Sequence, residues 1–262
     1  MEVQFYKYQG AGNDFVIIDD RKGKFDTTNE ELIAHLCNRR FGIGADGLML
    51  VRNKEGYDFE MVYFNADGKE GSMCGNGGRC IVAFAHYLRI FTDKCLFWAV
   101  DGEHEAYRIE DKNWISLKMI PVNAIESGAD YCYLNTGSPH YIVDIAENLQ
   151  QLDVFTEGQK IRYNERFKKE GTNVNFTQLE GDVLHVRTYE RGVEDETLAC
   201  GTGVTAAVLS AHYQGKIKGN SCKVKVLGGD LQILFEENNH TYDNIWLQGP
   251  AEQVFKGEIH VG

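Results

Sequence analysis

"SMCGNGGRCIVAFAHYL", residues 72–88, returns later in the chain as "LACGTGVTAAVLSAHYQ", residues 198–214. An ungapped alignment of the two stretches places Cys74 on Cys200 and, at the far end, Ala-His-Tyr on Ala-His-Tyr. Each copy has a cysteine, then a glycine-rich turn, then an apolar segment of helical length. The repeat therefore favours two related halves over one continuous domain.

The apolar segments "CIVAFAHYL" and "TAAVLSAHY" are apolar or small on nearly every side. A helix without a polar face is buried all round. We predict such helices from about residue 77 to 90 and from about residue 203 to 214. His86 and His212 lie at the far ends of these helices, so we expect them to pack in the core rather than to take part in catalysis.

Strand-like segments outnumber helical ones in both halves, for example "EVQFYKYQG", "DFVIIDD" and "GLMLVRN" in the first and "DVLHVRTYERG" and "CKVKVLGGDLQILFEE" in the second. The predicted fold class is α/β, with two pseudo-symmetric mixed domains that each wrap a sheet around a helix. We place the first domain at residues 1–119 and the second at 120–252, and expect a final strand, about residues 253–262, to return to the first. The repeat predicts the active site in the cleft between them.

The composition is that of an ordinary globular protein, with 262 residues, 43% hydrophobic residues and a formal net charge of -12. The acidic balance argues against a nucleic-acid partner, because phosphate contacts need clustered Lys and Arg. The chain has no apolar stretch of about 20 residues and no apolar core in "MEVQFYKYQGAGNDF", so we expect neither a membrane span nor a signal peptide. The expected compartment is the cytoplasm.

The seven cysteines show no framework spacing and no CxxC pair, so we expect thiols rather than disulfides and no metal site. Five of them are interpreted as small buried apolar residues, namely Cys37, Cys80, Cys95, Cys132 and Cys222.

The segment "GIGADG", residues 42–47, spells the dinucleotide-binding fingerprint. That motif needs a strand before it and a helix after it. Here a helical segment precedes the glycines and a strand-like segment follows them, so we reject the dinucleotide interpretation.

Cys74 and Cys200 differ from the other cysteines because each stands directly before a glycine-rich helix start. Unpaired backbone N–H groups and the helix dipole at such a start attract an anion such as a carboxylate, and lower the pKa of a neighbouring thiol. Two such thiols suit inversion at a carbon centre, where one group removes a proton and the other delivers one to the opposite face. Donors around the substrate carboxylate would stabilise the carbanion without a cofactor.

Polar residues in glycine-flanked loops fit an amino-acid-sized ligand. Asn13 and Asn65 lie in "GAGNDF" and "FNADGKEG", where turn chemistry alone is an equal explanation. Glu190 and Arg191 precede the second cysteine by about ten residues. A fixed guanidinium binds a carboxylate and a fixed carboxylate binds an ammonium group.

In order along the chain, "GAGNDF", "GIGADG", "FNADG", "MCGNGGRC", "GTNVNF" and "ERGVEDETLACGTG" resemble the motifs of the diaminopimelate epimerase family. The resemblance covers nearly the whole chain. It implies two domains that are each a sheet barrel around a central helix, a homodimer, and interconversion of LL- and meso-diaminopimelate without pyridoxal phosphate or another cofactor. It assigns the acid and base roles to Cys74 and Cys200, and a tuning role for the two thiols to His140 and Glu190. It further assigns substrate binding to Asn13, Asn65, Gly75, Asn76, Asn173, Glu190, Arg191, Gly201 and Thr202.

Two positions depart from the family pattern. Many members have Gln where this chain has Gly47, and the usual Asn of a "GNPH" loop is Ser138. Recognition of the distal amino-acid group is therefore open, and so is a racemase of another amino acid on the same frame. A third alternative is a redox module in which the two cysteines cycle as a disulfide.

Overall fold

A computed structural model describes residues 2–261 of the chain. The chain divides into two compact units. The first contains the chain up to Leu117 together with the stretch from Pro250 onward, and the second runs from Lys118 to Gly249. No helix within the described residues is long and apolar enough to span a membrane.

Within residues 2–261, the first unit contains eight strands and two α-helices. They are β1 (Glu2–Gly10), β2 (Asn13–Asp19), α1 (Glu30–Cys37), β3 (Gly47–Arg52), β4 (Phe59–Asn65), α2 (Gly75–Tyr87), β5 (Lys94–Ala99), β6 (Gly102–Ile109), β7 (Trp114–Lys118) and the C-terminal β17 (Glu252–His260).

These strands pair in the order β17-β1-β2-β3-β4-β5-β6-β7. The β2–β3 and β4–β5 pairs are parallel and the others antiparallel. Each parallel pair needs a crossover, and α1 and α2 supply the two crossovers. Gly10 lets α2 approach β1 closely, because a Cβ there would lie 3.1 Å from Sγ of Cys80.

The second unit contains the remaining strands and α-helices. They are β8 (Glu126–Ser127), β9 (Tyr131–Asn135), β10 (Pro139–Asp144), α3 (Val154–Arg162), β11 (Asn173–Glu180), β12 (Val183–Glu190), β13 (Asp195–Thr197), α4 (Gly201–Tyr213), β14 (Ser221–Val226), β15 (Gly229–Asn238) and β16 (Thr241–Pro250). Its last strand, β16, ends at Pro250, one residue beyond the unit boundary.

The second unit repeats the pairing pattern of the first. Its order is β8-β9-β10-β11-β12-β14-β15-β16, the β10–β11 and β12–β14 pairs are parallel, and α3 and α4 are the crossovers. The short β13 also pairs with β12. The internal repeat in the sequence thus corresponds to a repeat of strand order and direction.

The predicted mixed α/β class is confirmed, but the sheets differ from the barrels that the family resemblance implied. Within the described residues of the first unit, the strand order runs from β17 at one end to β7 at the other. In the second unit it runs from β8 to β16. The sheet is not closed. Each sheet wraps its central helix without closing on itself.

Both central helices are buried on most sides, as their composition predicts. In α2 the buried residues run from Gly75 to Val82 with Phe84 and Ala85, and in α4 only Thr202 interrupts the buried run from Gly201 to Ala211. The predicted starts were two residues late. Because each cysteine occupies the N-cap position, the helix begins at the very next residue.

The two helix-end histidines make packing contacts. Nδ1 of His212 lies 3.0 Å from the Tyr242 hydroxyl, and the His86 ring packs edge-on against Phe91. The segment "GIGADG" follows α1 and precedes β3, so the order that excludes a dinucleotide site is confirmed. All seven cysteines are free thiols.

The sequence patterns did not predict α3, nor that the motif "GTNVNF" runs into a strand. The structure places Asn173 and the residues after it in β11, between β10 and β12.

Candidate active site

Cys74 forms the N-cap of α2 in the first unit. Its backbone is extended, with φ -117° and ψ 151°, and its sulfur accepts a hydrogen bond from the Gly77 amide at 3.2 Å. No acidic side chain lies in the first turn of the helix. The positive end of the helix dipole therefore acts on the sulfur without competition from a carboxylate in that turn, which favours the thiolate.

A chain of hydrogen bonds runs from Arg79 in the second turn of α2 to the loop before β3. Arg79 donates to Oδ1 of Asn76 at 3.0 Å, Asn76 donates to Oδ1 of Asn13 at 3.4 Å, and Asn13 donates to Oδ2 of Asp46 at 2.5 Å. Because the guanidinium can only donate and the carboxylate can only accept, the chain fixes which end of each amide is oxygen. Two of the predicted substrate-binding residues, Asn13 and Asn76, are thus in contact.

A cluster of ion pairs, buried at Lys7 and exposed at Arg39, holds the far end of this chain. Nζ of Lys7, a side chain that is only 7% exposed, lies 2.6 Å from Asp14 and also donates to the carbonyl of Gly44. Arg39 donates to both carboxylate oxygens of Asp14 and to Asp46. Burial alone would raise the pKa of Asp14, but the hydrogen bonds from Arg39 and Lys7 hold it well below its ordinary value. The cluster fixes the loop that carries Asp46.

Asn65, another predicted substrate-binding residue, ends β4 opposite Gly47 of β3. It forms no side-chain bond to Asn13 or Asn76 among the hydrogen bonds of the described residues. The ring of Tyr63 fills the space beside Gly47, because a Cβ at that glycine would lie 2.5 Å from Cε2 and 2.9 Å from the hydroxyl oxygen. A longer side chain at position 47, the family pattern, would therefore need Tyr63 to move.

Cys200 is the N-cap of α4 in the second unit, but it does not use its side chain as a cap. Its sulfur lies 3.5 Å from the hydroxyl of Thr202, and the residue is 7% exposed. The Thr202 backbone carbonyl accepts a bond from Thr136 at 2.9 Å. The two cysteines share their position at a helix start and differ in the group that contacts the sulfur.

His140 lies on β10 in the same unit and is fully buried. Its Nδ1 faces the amide nitrogen of Asn175 at 3.0 Å, so this ring nitrogen accepts. Nε2 must then carry the proton, and it lies 2.9 Å from the hydroxyls of both Ser138 and Thr202. Burial, together with the nearby charge of Arg191, lowers the pKa of His140 to about 3, so the imidazole is neutral at physiological pH.

Asn173 joins this network from β11. Its amide nitrogen donates to the Ser138 hydroxyl at 3.2 Å, and its Oδ1 accepts from the backbone N–H of Arg191 at 2.9 Å. Ser138, the position that departs from the family pattern, is therefore bonded to both Asn173 and His140.

Glu190 is the last residue of β12 and Arg191 follows it, but the two side chains contact different groups. A Glu190 oxygen accepts from the Thr197 hydroxyl at 2.9 Å, whereas the exposed Arg191 guanidinium donates to the carbonyl of Glu170 at 3.0 Å. No ion pair joins Glu190 to Arg191 among the residues from 2 to 261.

Sequence reasoning missed Arg79 and Asn175. Asn175 is fully buried, and it orients His140 with one end of its amide while the Thr188 hydroxyl donates to the other end. The alternation of Asn173 and Asn175 on one strand was the available signal, because residues two apart point to the same face. For Arg79 the only signal was an arginine within an otherwise apolar helix.

Two further features of the described residues bear on the site. No group of three or more His, Cys, Asp or Glu side chains in that part of the chain could hold a metal ion. A cavity of about 630 Å³ lies in the first unit, but its lining residues, which include Glu2, Tyr6, Asp20 and Phe25, contain none of the candidate site residues. We therefore base the site on the cysteine helix starts.

The family model described as diaminopimelate epimerase matches residues 5–123 and 132–254 of the chain. The chain belongs to the diaminopimelate epimerase family. A diaminopimelate epimerase from Flavobacterium psychrophilum is 49% identical over 98% of this chain and 100% of its own length. One from Chlorobaculum tepidum is 48% identical over 95% of this chain and 98% of its own length. The family resemblance read from the motifs is confirmed.

Solved structures of more distant proteins share the fold. A PhzF-family phenazine biosynthesis protein from Bacillus anthracis has a TM-score of 0.75 at 16% identity and covers 100% of both chains. A hydroxyproline epimerase from Agrobacterium vitis has a TM-score of 0.69 at 13% identity, with 98% of this chain and 92% of that chain covered. At these sequence identities, both structures are similar to the present chain in fold alone.

Proposed function

We propose that the protein is a diaminopimelate epimerase that interconverts LL- and meso-2,6-diaminopimelate. The observation that carries the proposal is the paired helix start: in each unit a cysteine caps the buried central helix, directly before Gly-Asn-Gly or Gly-Thr-Gly. Family membership supports the substrate, since the curated relatives named above are diaminopimelate epimerases. The reaction belongs to the biosynthesis of lysine and of peptidoglycan precursors.

In the proposed reaction one cysteine is a thiolate and the other a thiol. The thiolate takes the α-proton, an S–H bond forms, and the electron pair of the broken C–H bond passes to the α-carbon and its carboxylate. The second thiol then gives its proton to the opposite face of that carbon and becomes the thiolate. The proton balance closes with the two cysteines exchanged in protonation, so the reverse reaction uses the same groups.

The backbone N–H groups of the two helix starts would stabilise the carbanion. Gly75 and Asn76 begin α2, and Gly201 and Thr202 begin α4. Donors and dipoles already aimed at the carboxylate lower the barrier because they need no reorganisation when charge develops. We assign the remaining contacts with the substrate to Asn13, Asn65, Asn173, Glu190 and Arg191.

His140 and Glu190 are proposed to tune the thiols. His140 is neutral, so its influence on Cys200 would pass through hydrogen bonds rather than through a positive charge. Thr202 supplies the connecting hydroxyl, which contacts both the imidazole and the sulfur.

The test follows α-proton exchange of LL-diaminopimelate in heavy water, together with formation of the meso isomer. Wild type should do both, and Cys74→Ala and Cys200→Ala should each lose epimerisation by at least about a thousandfold. Near-normal turnover in either variant contradicts the two-base proposal. If diaminopimelate isomers are inert while another L-amino acid exchanges its α-proton, the protein is a racemase of that amino acid. Loss of turnover in strong reductant would favour the redox module.

We further propose that the enzyme is a cytoplasmic homodimer that needs no cofactor. Support for a self-contact comes from β17, where Val254 is 58% and Phe255 45% exposed on a strand that lies largely in solvent. Light scattering of wild type and of Val254→Lys tests the dimer, and a monomeric wild type contradicts it. Full turnover after treatment with hydroxylamine and a chelator would support independence from pyridoxal phosphate and metal, and lost turnover would contradict it.

A further inference from the structure

Arg79 is a completely buried arginine in the second turn of α2. Its guanidinium donates to the Gly75 carbonyl at 3.1 Å, to Oδ1 of Asn76 at 3.0 Å and to the Pro250 carbonyl at 3.4 Å. All three acceptors are uncharged. Among the ion pairs of residues 2–261 none involves Arg79, although arginine is almost never fully buried without a partner of opposite charge.

Two cysteines lie near Arg79 along this helix, since Cys80 is the next residue and Cys74 is the N-cap. Burial lowers the pKa of Arg79, and charges on Cys80 and Cys74 would raise it. Cys80 is fully buried, and burial raises its pKa far above neutral, so it remains a thiol. Cys74 instead stands at the helix start, where its sulfur accepts the Gly77 N–H. The Arg79 guanidinium is bonded to Gly75 and Asn76, the two residues directly after Cys74, so this cation lies at the helix start that Cys74 caps.

The titratable and charged groups named below, on the strands that pack on α2, have hydrogen-bond or ion-pair partners of their own. Asp14 of β2 is held by Lys7 and Arg39, and Tyr8 of β1 has a pKa that burial raises. Arg52 of β3 pairs with Asp20, Glu105 of β6 pairs with Lys94, and Glu252 of β17 accepts from Gln9.

We infer that Arg79 is a positioning residue whose buried guanidinium keeps Cys74 as a thiolate in the free enzyme and fixes the amide of Asn76. The proton that Cys74 loses passes to solvent, and no redox step is involved. The inference rests on the proposed function only for the use that the enzyme makes of this thiolate, namely removal of the α-proton. It therefore deepens the assignment of Cys74 as a base.

The experiment measures alkylation of Cys74 by iodoacetamide from pH 5.5 to 9, in the full chain with Cys200→Ser, by mass spectrometry of the Cys74 peptide. Arg79→Gln should move the midpoint of the pH profile up by about one unit and slow alkylation at pH 7 about tenfold. Arg79→Lys, the matched control that keeps the charge, should stay within about threefold. An unchanged profile in Arg79→Gln overturns the inference.

A second variant covers the case in which Arg79→Gln does not fold. Asn76→Asp places a carboxylate beside the guanidinium, where it would compete with the thiolate for the positive charge. It should raise the alkylation midpoint, whereas Asn76→Ser should leave it close to wild type, and equal midpoints overturn the inference. Because alkylation needs no substrate, these results stand even if wild type proves inactive on diaminopimelate, so the two proposals can fail separately.

Discussion

The hydroxyl oxygen of Thr202 lies 2.9 Å from Nε2 of His140. The same oxygen lies 3.5 Å from the sulfur of Cys200. Because Asn175 donates to Nδ1, Nε2 carries the ring proton and can donate to the threonine. The threonine proton can then point at the sulfur or at the Ser138 hydroxyl, which lies 3.1 Å away. A buried neutral imidazole thus reaches the second cysteine through a single hydroxyl group.

Thr202→Val should show what this hydroxyl contributes, because valine keeps the shape and removes the contacts with His140, Cys200 and Ser138. A hydrogen bond to a charged group contributes about 1.5–3 kcal/mol, so we expect kcat/KM for epimerisation to fall about 10- to 100-fold. Thr202→Ser keeps the hydroxyl and should lose less than about threefold. The measurement is the initial rate from each isomer of diaminopimelate. Equal rates in the valine and serine variants would show that the hydroxyl does not act on Cys200.

His140 should make the folded state less stable in mild acid. Its pKa in the folded protein is lowered to about 3, whereas an unfolded histidine has a pKa of about 6.5. Below about pH 6.5 the unfolded chain therefore binds a proton that the folded chain refuses. The contribution of the neutral His140 to the free energy of unfolding is fully present above that pH. It is lost, by about 1.4 kcal/mol per pH unit, as the pH falls toward 3.

Urea unfolding of wild type and His140→Gln between pH 7 and pH 4.5 checks this sign. Glutamine has the same number of polar ends and does not titrate, so the difference in unfolding free energy between the two proteins should shrink as the pH falls. A difference that stays constant over this range would mean that His140 takes up its proton at the same pH in the folded and unfolded protein.

Asp14→Asn should destabilise the first unit strongly. The substitution leaves the ammonium group of Lys7 buried without its carboxylate partner, and breaking a buried pair in this way costs about 3–5 kcal/mol. Asp19→Asn is the matched control, because the Asp19–Arg21 pair is more exposed, with side chains 30% and 37% accessible. The control should cost less than about 1 kcal/mol. Similar unfolding free energies for the two variants would contradict the buried-pair argument.

Much of the scaffold could be predicted because its signals are local. The helix starts follow from Cys-Gly-Asn and Cys-Gly-Thr, and strand alternation marks most of the sheet. The contacts of His140 could not be predicted, since they depend on long-range register. The parallel β10–β11 pair sets His140 opposite Asn173, and only then does Asn175 reach the ring.

Arg79 illustrates the same limit in the first unit. Its position in an apolar helix predicts burial, but nothing local says that its side chain turns back toward Gly75 and Asn76. The third acceptor, the Pro250 carbonyl, comes from the far end of the chain. The partners of a buried polar group are set by the whole fold, whereas its burial can be predicted from the pattern.

Tyr63 lies between two glycines, and this arrangement predicts two substitutions with different outcomes. A Cβ at Gly71 would lie 2.6 Å from Cε1 of Tyr63 and 2.9 Å from Oδ1 of Asn65, and its three nearest neighbours are all side-chain atoms. A Cβ at Gly47 would meet the same ring at 2.5 Å, but also the backbone carbonyl oxygen of Phe64 at 2.6 Å. We expect Gly71→Ala and Gly47→Ala each to cost about 1–3 kcal/mol of unfolding free energy.

Combining each glycine variant with Tyr63→Ala separates the two causes. Removal of the ring should recover most of the loss from Gly71→Ala, because the remaining contact is the movable end of an asparagine. It should recover only part of the loss from Gly47→Ala, since the Phe64 carbonyl belongs to the neighbouring strand and cannot move without breaking the β3–β4 pairing. Double-mutant cycles by urea unfolding measure the two coupling energies. If Tyr63→Ala recovers all of the unfolding free energy lost in Gly47→Ala, Tyr63 alone excludes a side chain at position 47. A single substitution of the tyrosine would then make room for a side chain there.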